Sequence, residues 1–141
     1  MNSSIESIES KQLLQNTKLS GEIKKVIDIL LDNKVENITC IDLKEISAIS
    51  DIMIIGTVLS EVHSRSLVRK IPNYLKQHNI SKPIREEGVN RGNWVVMDFA
   101  DFMVHLMTPA FRETYQLENL WANAKIIIII DPLESESHSR V

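Results

Sequence analysis

The chain has 141 residues, of which 43% are hydrophobic and 25% charged, and its formal net charge is −3. That length and balance fit one domain able to bury its own core, and they exclude a disordered or fibrous chain. The single cysteine, Cys40, has no internal disulfide partner, no Cys/His spacing suits zinc, and a net acidic chain is a poor match for a phosphate backbone.

Residues 1–19 are polar, with Ile5, Ile8, Leu13 and Leu14 as sparse apolar positions, and read as an arm or weak helix. No basic segment followed by an apolar run opens the chain, so the expected location is the cytoplasm. Ser20 offers an N-cap to a helix over 21–33, in which Ile23, Val26, Ile27, Leu30 and Leu31 share one face. The β-branched segments 37–43 and 51–57 read as strands joined by a polar loop over 44–50. Ser60 caps a second helix carrying Leu67, Val68, Ile71, Tyr74 and Leu75; Pro72 removes one backbone donor and predicts a kink or a division.

A short strand follows over 84–87, then a turn from Gly88 to Gly92, then strands over 94–99 and 102–107. Thr108-Pro109 is a cap followed by proline at the first helical position, and Phe111, Tyr115, Leu120 and Trp121 supply an apolar face to a terminal helix or helix pair. The run Ile126–Ile130, between Lys125 and Asp131-Pro132, reads as an extra strand or a packed terminus; its five residues fall far short of the ~20 of a membrane span. The order predicts an α/β fold: a single mixed β-sheet of about five strands, covered by helices on one face. The expected domain occupies 20–124, between the polar arm of 1–19 and an extension over 125–141.

The segment from Trp94 to Met107 is testable as a hairpin. With Ala100 and Asp101 as a two-residue turn, Phe99 meets Phe102, Met97 meets Val104 and Val95 meets Leu106 on one apolar face. The opposite face then carries Trp94, Val96, Asp98, Met103, His105 and Met107, a mixture of large apolar groups with a carboxylate and an imidazole that suits a partner-binding surface. The competing reading has a helix over this face, with Asp98 and His105 satisfied by local hydrogen bonds. Between Glu86 and Glu118 the acids Glu86, Glu87, Asp98, Asp101, Glu113 and Glu118 face only Arg91 and Arg112, so a basic protein is the expected partner.

Catalytic signals are weak. Asp98 and Asp101 invite a metal-carboxylate reading, but a tight turn separates them, and Gly56-Thr57 is a phosphate cradle of one glycine without a lysine. No serine sits in a nucleophile elbow, Cys40 falls mid-strand where packing is its role, and His63, His78 and His138 read as surface histidines. The expectation is a protein without catalytic residues, metal or cofactor.

Several separated motifs together resemble the Iojap-like ribosomal silencing factors: Ser50-Asp51 entering DIMIIGT, Ser60 and His63 opening the next helix, Glu87-Gly88, the WVVMDFADFMVHLM block, and YQLENLWANA. The match runs from about Ile23 to Ala124. The resemblance implies a nucleotidyltransferase-like fold without transferase activity and a homodimer when free. It also implies binding to the large ribosomal subunit through a ribosomal protein on its intersubunit face, which blocks joining of the small subunit when nutrients are scarce. Relatives that assist large-subunit assembly supply an alternative role, and an active nucleotidyltransferase using Asp98 and Asp101 is the remote one. The contact candidates are Trp94, Asp98, Met103, His105 and Met107, with Asp101 as a turn residue or rim charge. Val58-Leu59 stands where relatives commonly have Gly-Thr, Val62 where they have arginine, and Ala100 where they often have glycine.

Overall fold

The computed structural model describes residues 12, 14–46, 50–80, 83–120 and 125–130. Most of the expected arm and tail, Trp121 and His138 lie outside the described residues. Helix α1 spans Gly21–Asp32, where Ile23 N–H donates to the Ser20 hydroxyl at 3.3 Å, and buries Ile23, Val26, Ile27, Ile29 and Leu30. Helix α2 spans Glu61–Gln77, where His63 N–H donates to the Ser60 hydroxyl at 3.1 Å, and buries Ser64, Leu67, Val68, Ile71 and Leu75. Pro72 lies inside α2 without dividing it, contrary to one expectation, because Ile71 and Leu75 on either side anchor the same face in the core.

The strands are β1 (Glu36–Asp42), β2 (Ile52–Thr57), β3 (Arg85–Glu87), β4 (Trp94–Asp98), β5 (Phe102–Met107) and β6 (Lys125–Ile130). They form one six-stranded sheet in the order β3-β4-β5-β2-β1-β6, parallel only between β2 and β5. The sheet has six strands where about five were expected, and the sixth is the isoleucine run, which pairs with β1.

Two buried clusters mark the two sheet faces. On the first, Cys40, Ile54, Val95, Met97, Val104 and Leu106 pack with α1 and α2, joined by Leu14 from beyond the α1 cap. On the second, Ile41, Met53, Ile55 and Met107 pack with Leu117 of α4 (Leu117–Leu120), and Phe111 of α3 (Pro109–Tyr115) leans on them. Helices therefore cover both faces, not one. The reason is local: Pro109 starts α3 directly after β5, and the left-handed Gln116 (φ 42°) turns the chain into α4.

Candidate functional site

The β4–β5 hairpin pairs Val95 with Leu106 and Met97 with Val104, as alternation predicts, and all four side chains are fully buried. Phe99 N–H donates to the Phe102 carbonyl at 2.9 Å, and the two rings stack at 4.6 Å. This closes a two-residue turn in which Ala100 takes a φ of 74°, a left-handed conformation that glycine adopts more easily. Asp98 compensates: its Oδ1 accepts the Ala100 N–H at 2.8 Å.

On the second face, Trp94 pairs with Met107, Val96 with His105, and Asp98 with Met103. Trp94 is half-buried rather than exposed, because α3 brings Tyr115 against it with ring centroids 5.1 Å apart. Its indole N–H donates to His105 Nδ1 at 3.0 Å. An Nδ1 that accepts puts the neutral imidazole's proton on Nε2, which is buried without a hydrogen-bond partner. Burial also lowers the His105 pKa from its usual 6.5 to about 4, so the ring is neutral at physiological pH.

The six candidates therefore separate by depth. Trp94 and Met103 reach the surface, with Val96 between them, and Asp101 is exposed at the turn. Met107 is fully buried beneath α3 and α4, which removes it from any contact surface. Asp98 and His105 are 7% exposed and engaged locally: Asp98 also accepts from Arg85 at 3.3 Å, and His105 accepts from Trp94. They shape the strip from behind. Nor do Asp98 and Asp101 converge, since Asp101 lines a different cleft, with Lys18 and Lys44 near the start of α1. Among the described residues no group of three or more His, Cys, Asp or Glu side chains is placed to hold a metal ion.

Sequence reasoning missed two features. Arg112 reaches from α3 across the sheet, donating to Thr57 Oγ1 and Thr39 Oγ1 at 3.0 Å each and to the Asn37 carbonyl. Threonines at inward positions of two otherwise apolar strands were the available signal. The second is a groove beside the hairpin, lined by Trp94, Val96 and Phe111 together with Glu86 and Glu87, of which Glu87 pairs with Val96 on the same face. Helix α2 fixes the rim of this groove: the Ser64 hydroxyl donates to the Gly92 carbonyl at 2.5 Å, and Arg65 Nη1 donates to the Asn90 and Arg91 carbonyls at 3.3 Å each.

A family model described as "Ribosomal silencing factor during starvation" matches residues 16–140. The ribosomal silencing factor RsfS of Chromobacterium violaceum is 32% identical over 105 residues, covering 74% of this chain and 85% of that protein. A mouse protein named "Mitochondrial assembly of ribosomal large subunit protein 1" is 29% identical over 102 residues, covering 71% of this chain and 45% of that longer protein. A crystal structure of a Chromobacterium violaceum protein superposes with a TM-score of 0.67 at 31% identity, covering 72% of this chain and 83% of that one.

Proposed function

The chain belongs to the ribosomal silencing factor family, whose role is ribosome-associated, and from that premise we propose that it is a non-catalytic, cytoplasmic translational repressor. In this reading it docks on a basic ribosomal protein at the intersubunit face of the large subunit and, by its bulk, blocks joining of the small subunit under nutrient limitation. The observation that carries the proposal is the strip Trp94, Val96 and Met103, whose Trp94 and Val96 also line a groove with Glu86 and Glu87. Apolar and aromatic groups ringed by carboxylates suit a partner whose lysines and arginines surround an apolar centre. Occlusion demands no bond-making, only an interface of ~1,200–2,000 Å² and volume where the other subunit must sit.

The test is sedimentation of the purified protein with separated subunits, followed by addition of small subunits to loaded large ones. Co-migration with large subunits and a loss of joined particles is the expected result. Glu86→Lys combined with Glu87→Lys reverses charge on exposed side chains, and Trp94→Ala removes the aromatic anchor; each is expected to weaken co-migration by about tenfold or more. Folded variants that bind like the parent chain would overturn the surface. Asp98→Lys is a poorer probe, because Asp98 braces the turn from a buried position.

A role in large-subunit assembly, which the mouse relative's name states of that protein, would use the same surface at an earlier time. Binding to immature large particles in preference to mature subunits would favour it.

A further inference from the structure

A half-exposed indole at a strand end has several rotamers open to it, and an anchor that must be ordered at each encounter loses affinity to that ordering. Trp94 is held in one. It stands diagonally across the β4–β5 pair from His105, since Trp94 pairs with Met107 and His105 with Val96. The indole N–H donates to His105 Nδ1 at 3.0 Å, and the indole ring centroid lies 6.1 Å from the imidazole and 5.1 Å from the Tyr115 ring. An indole N–H only donates, so Nδ1 must accept and the imidazole proton sits on Nε2. That Nε2 is buried with no hydrogen-bond partner, and the residues paired with His105 in the flanking strands are Val96 and Ile55. An apolar side chain at 105 would fill similar space without burying an unsatisfied donor, so stability alone does not call for histidine there.

We propose that His105 is a positioning residue for docking: it holds Trp94 in the conformation that meets the partner, and the chain gives up some stability for it. The inference rests on the reading of Trp94 as the anchor of the docking surface. The imidazole is buried and acts through the indole rather than on the partner. What the role demands is an acceptor where Nδ1 stands. Asparagine carries its Oδ1 at the same branch of the side chain and retains that acceptor, whereas leucine places a methyl there that accepts nothing. The substitution that best preserves apolar packing is therefore the one that releases the anchor.

Variants of the full chain test this by urea unfolding, co-sedimentation with large subunits and the indole N–H signal in proton–nitrogen NMR. His105→Leu is expected to keep or raise the urea midpoint and yet weaken large-subunit binding by about tenfold. His105→Asn is expected to bind within about threefold of the parent chain. The indole signal that Trp94→Ala abolishes should move upfield and exchange faster with water in the leucine variant, and stay near its parent position in the asparagine variant. Added to Trp94→Ala, His105→Leu should cause no further loss of binding, because both act through one ring. Should the leucine variant not fold, His105→Val repeats the test, being equally unable to accept. A folded leucine or valine variant that binds like the parent, one that loses binding and midpoint together, an unmoved indole signal, or an asparagine variant that folds without binding would each overturn the proposal. If Trp94→Ala itself binds like the parent, the docking reading fails and the role of His105 falls with it, whereas an unmoved indole signal removes His105 alone.

Discussion

Ala100 occupies a left-handed conformation (φ 74°) in the tightest turn of the hairpin, which costs an L-residue roughly 1–2 kcal/mol. Ala100→Gly removes that strain while adding chain entropy to the unfolded state, so a net gain of about 0.5–1 kcal/mol is expected from urea unfolding. His105 carries a pH signature. The unfolded chain takes up a proton below about pH 6.5, whereas the buried ring resists protonation until about 4. The unfolded state therefore binds more protons across that window, and stability, full above pH 6.5, falls as pH drops from 6.5 towards 4. The loss is on the order of 3 kcal/mol, and His105→Gln is expected to flatten that part of the profile in unfolding experiments repeated across the window. Alternation alone assigned His105 to the second face. Its depth was invisible, because Trp94, which lies against its ring, is packed in turn by Tyr115 from a helix that Arg112 ties to Thr39 and Thr57.

Among the elements, the turn between β3 and β4 is the most constrained. A Cβ at Gly88 would fall 2.0 Å from the Trp94 carbonyl oxygen, and its φ of 78° already disfavours any side chain. Gly88→Ala is therefore expected to lose at least about 3 kcal/mol or to prevent folding, read as a collapse of the urea midpoint. Loss of the Ser60 cap is milder: Ser60→Ala should cost about 1 kcal/mol, because one N–H at the start of α2 loses its acceptor. Element positions were largely legible, since period 3.6 in α1 and α2 and period 2 in the hairpin are set by which side chains must be buried. Pro72 misled because local backbone chemistry argues for a break, whereas tertiary burial of Ile71 and Leu75 outweighs one missing hydrogen bond.

At the scale of the molecule, the acids of the β3 edge, the hairpin turn and α3 outnumber the nearby bases even though Arg85 pairs with Glu87 at 3.5 Å and with Asp98 at 3.3 Å, and together they make a negative field. If that field steers the chain to a basic partner, association with large subunits should slow by about tenfold between roughly 50 and 200 mM salt while dissociation changes little. Stopped-flow or surface-based kinetics would read this, and a salt-insensitive on-rate would remove steering from the mechanism. The sheet order also places the aromatic strip in one half and the apolar β6 edge at the far end of the other.

By itself the sequence determined the strands and helices, the register of the hairpin, the apolar face of Val95, Met97, Val104 and Leu106, and, through separated motifs, the family. These follow from periodicity and turn chemistry, which are local. Only the tertiary structure decided that helices cover both faces, that Met107, Asp98 and His105 lie beneath the surface while Trp94 and Met103 reach it, and that the isoleucine run completes the sheet at its edge. Burial depends on which distant segment packs over a residue, and strand order on which edge is free when the last strand arrives; neither is written in local spacing.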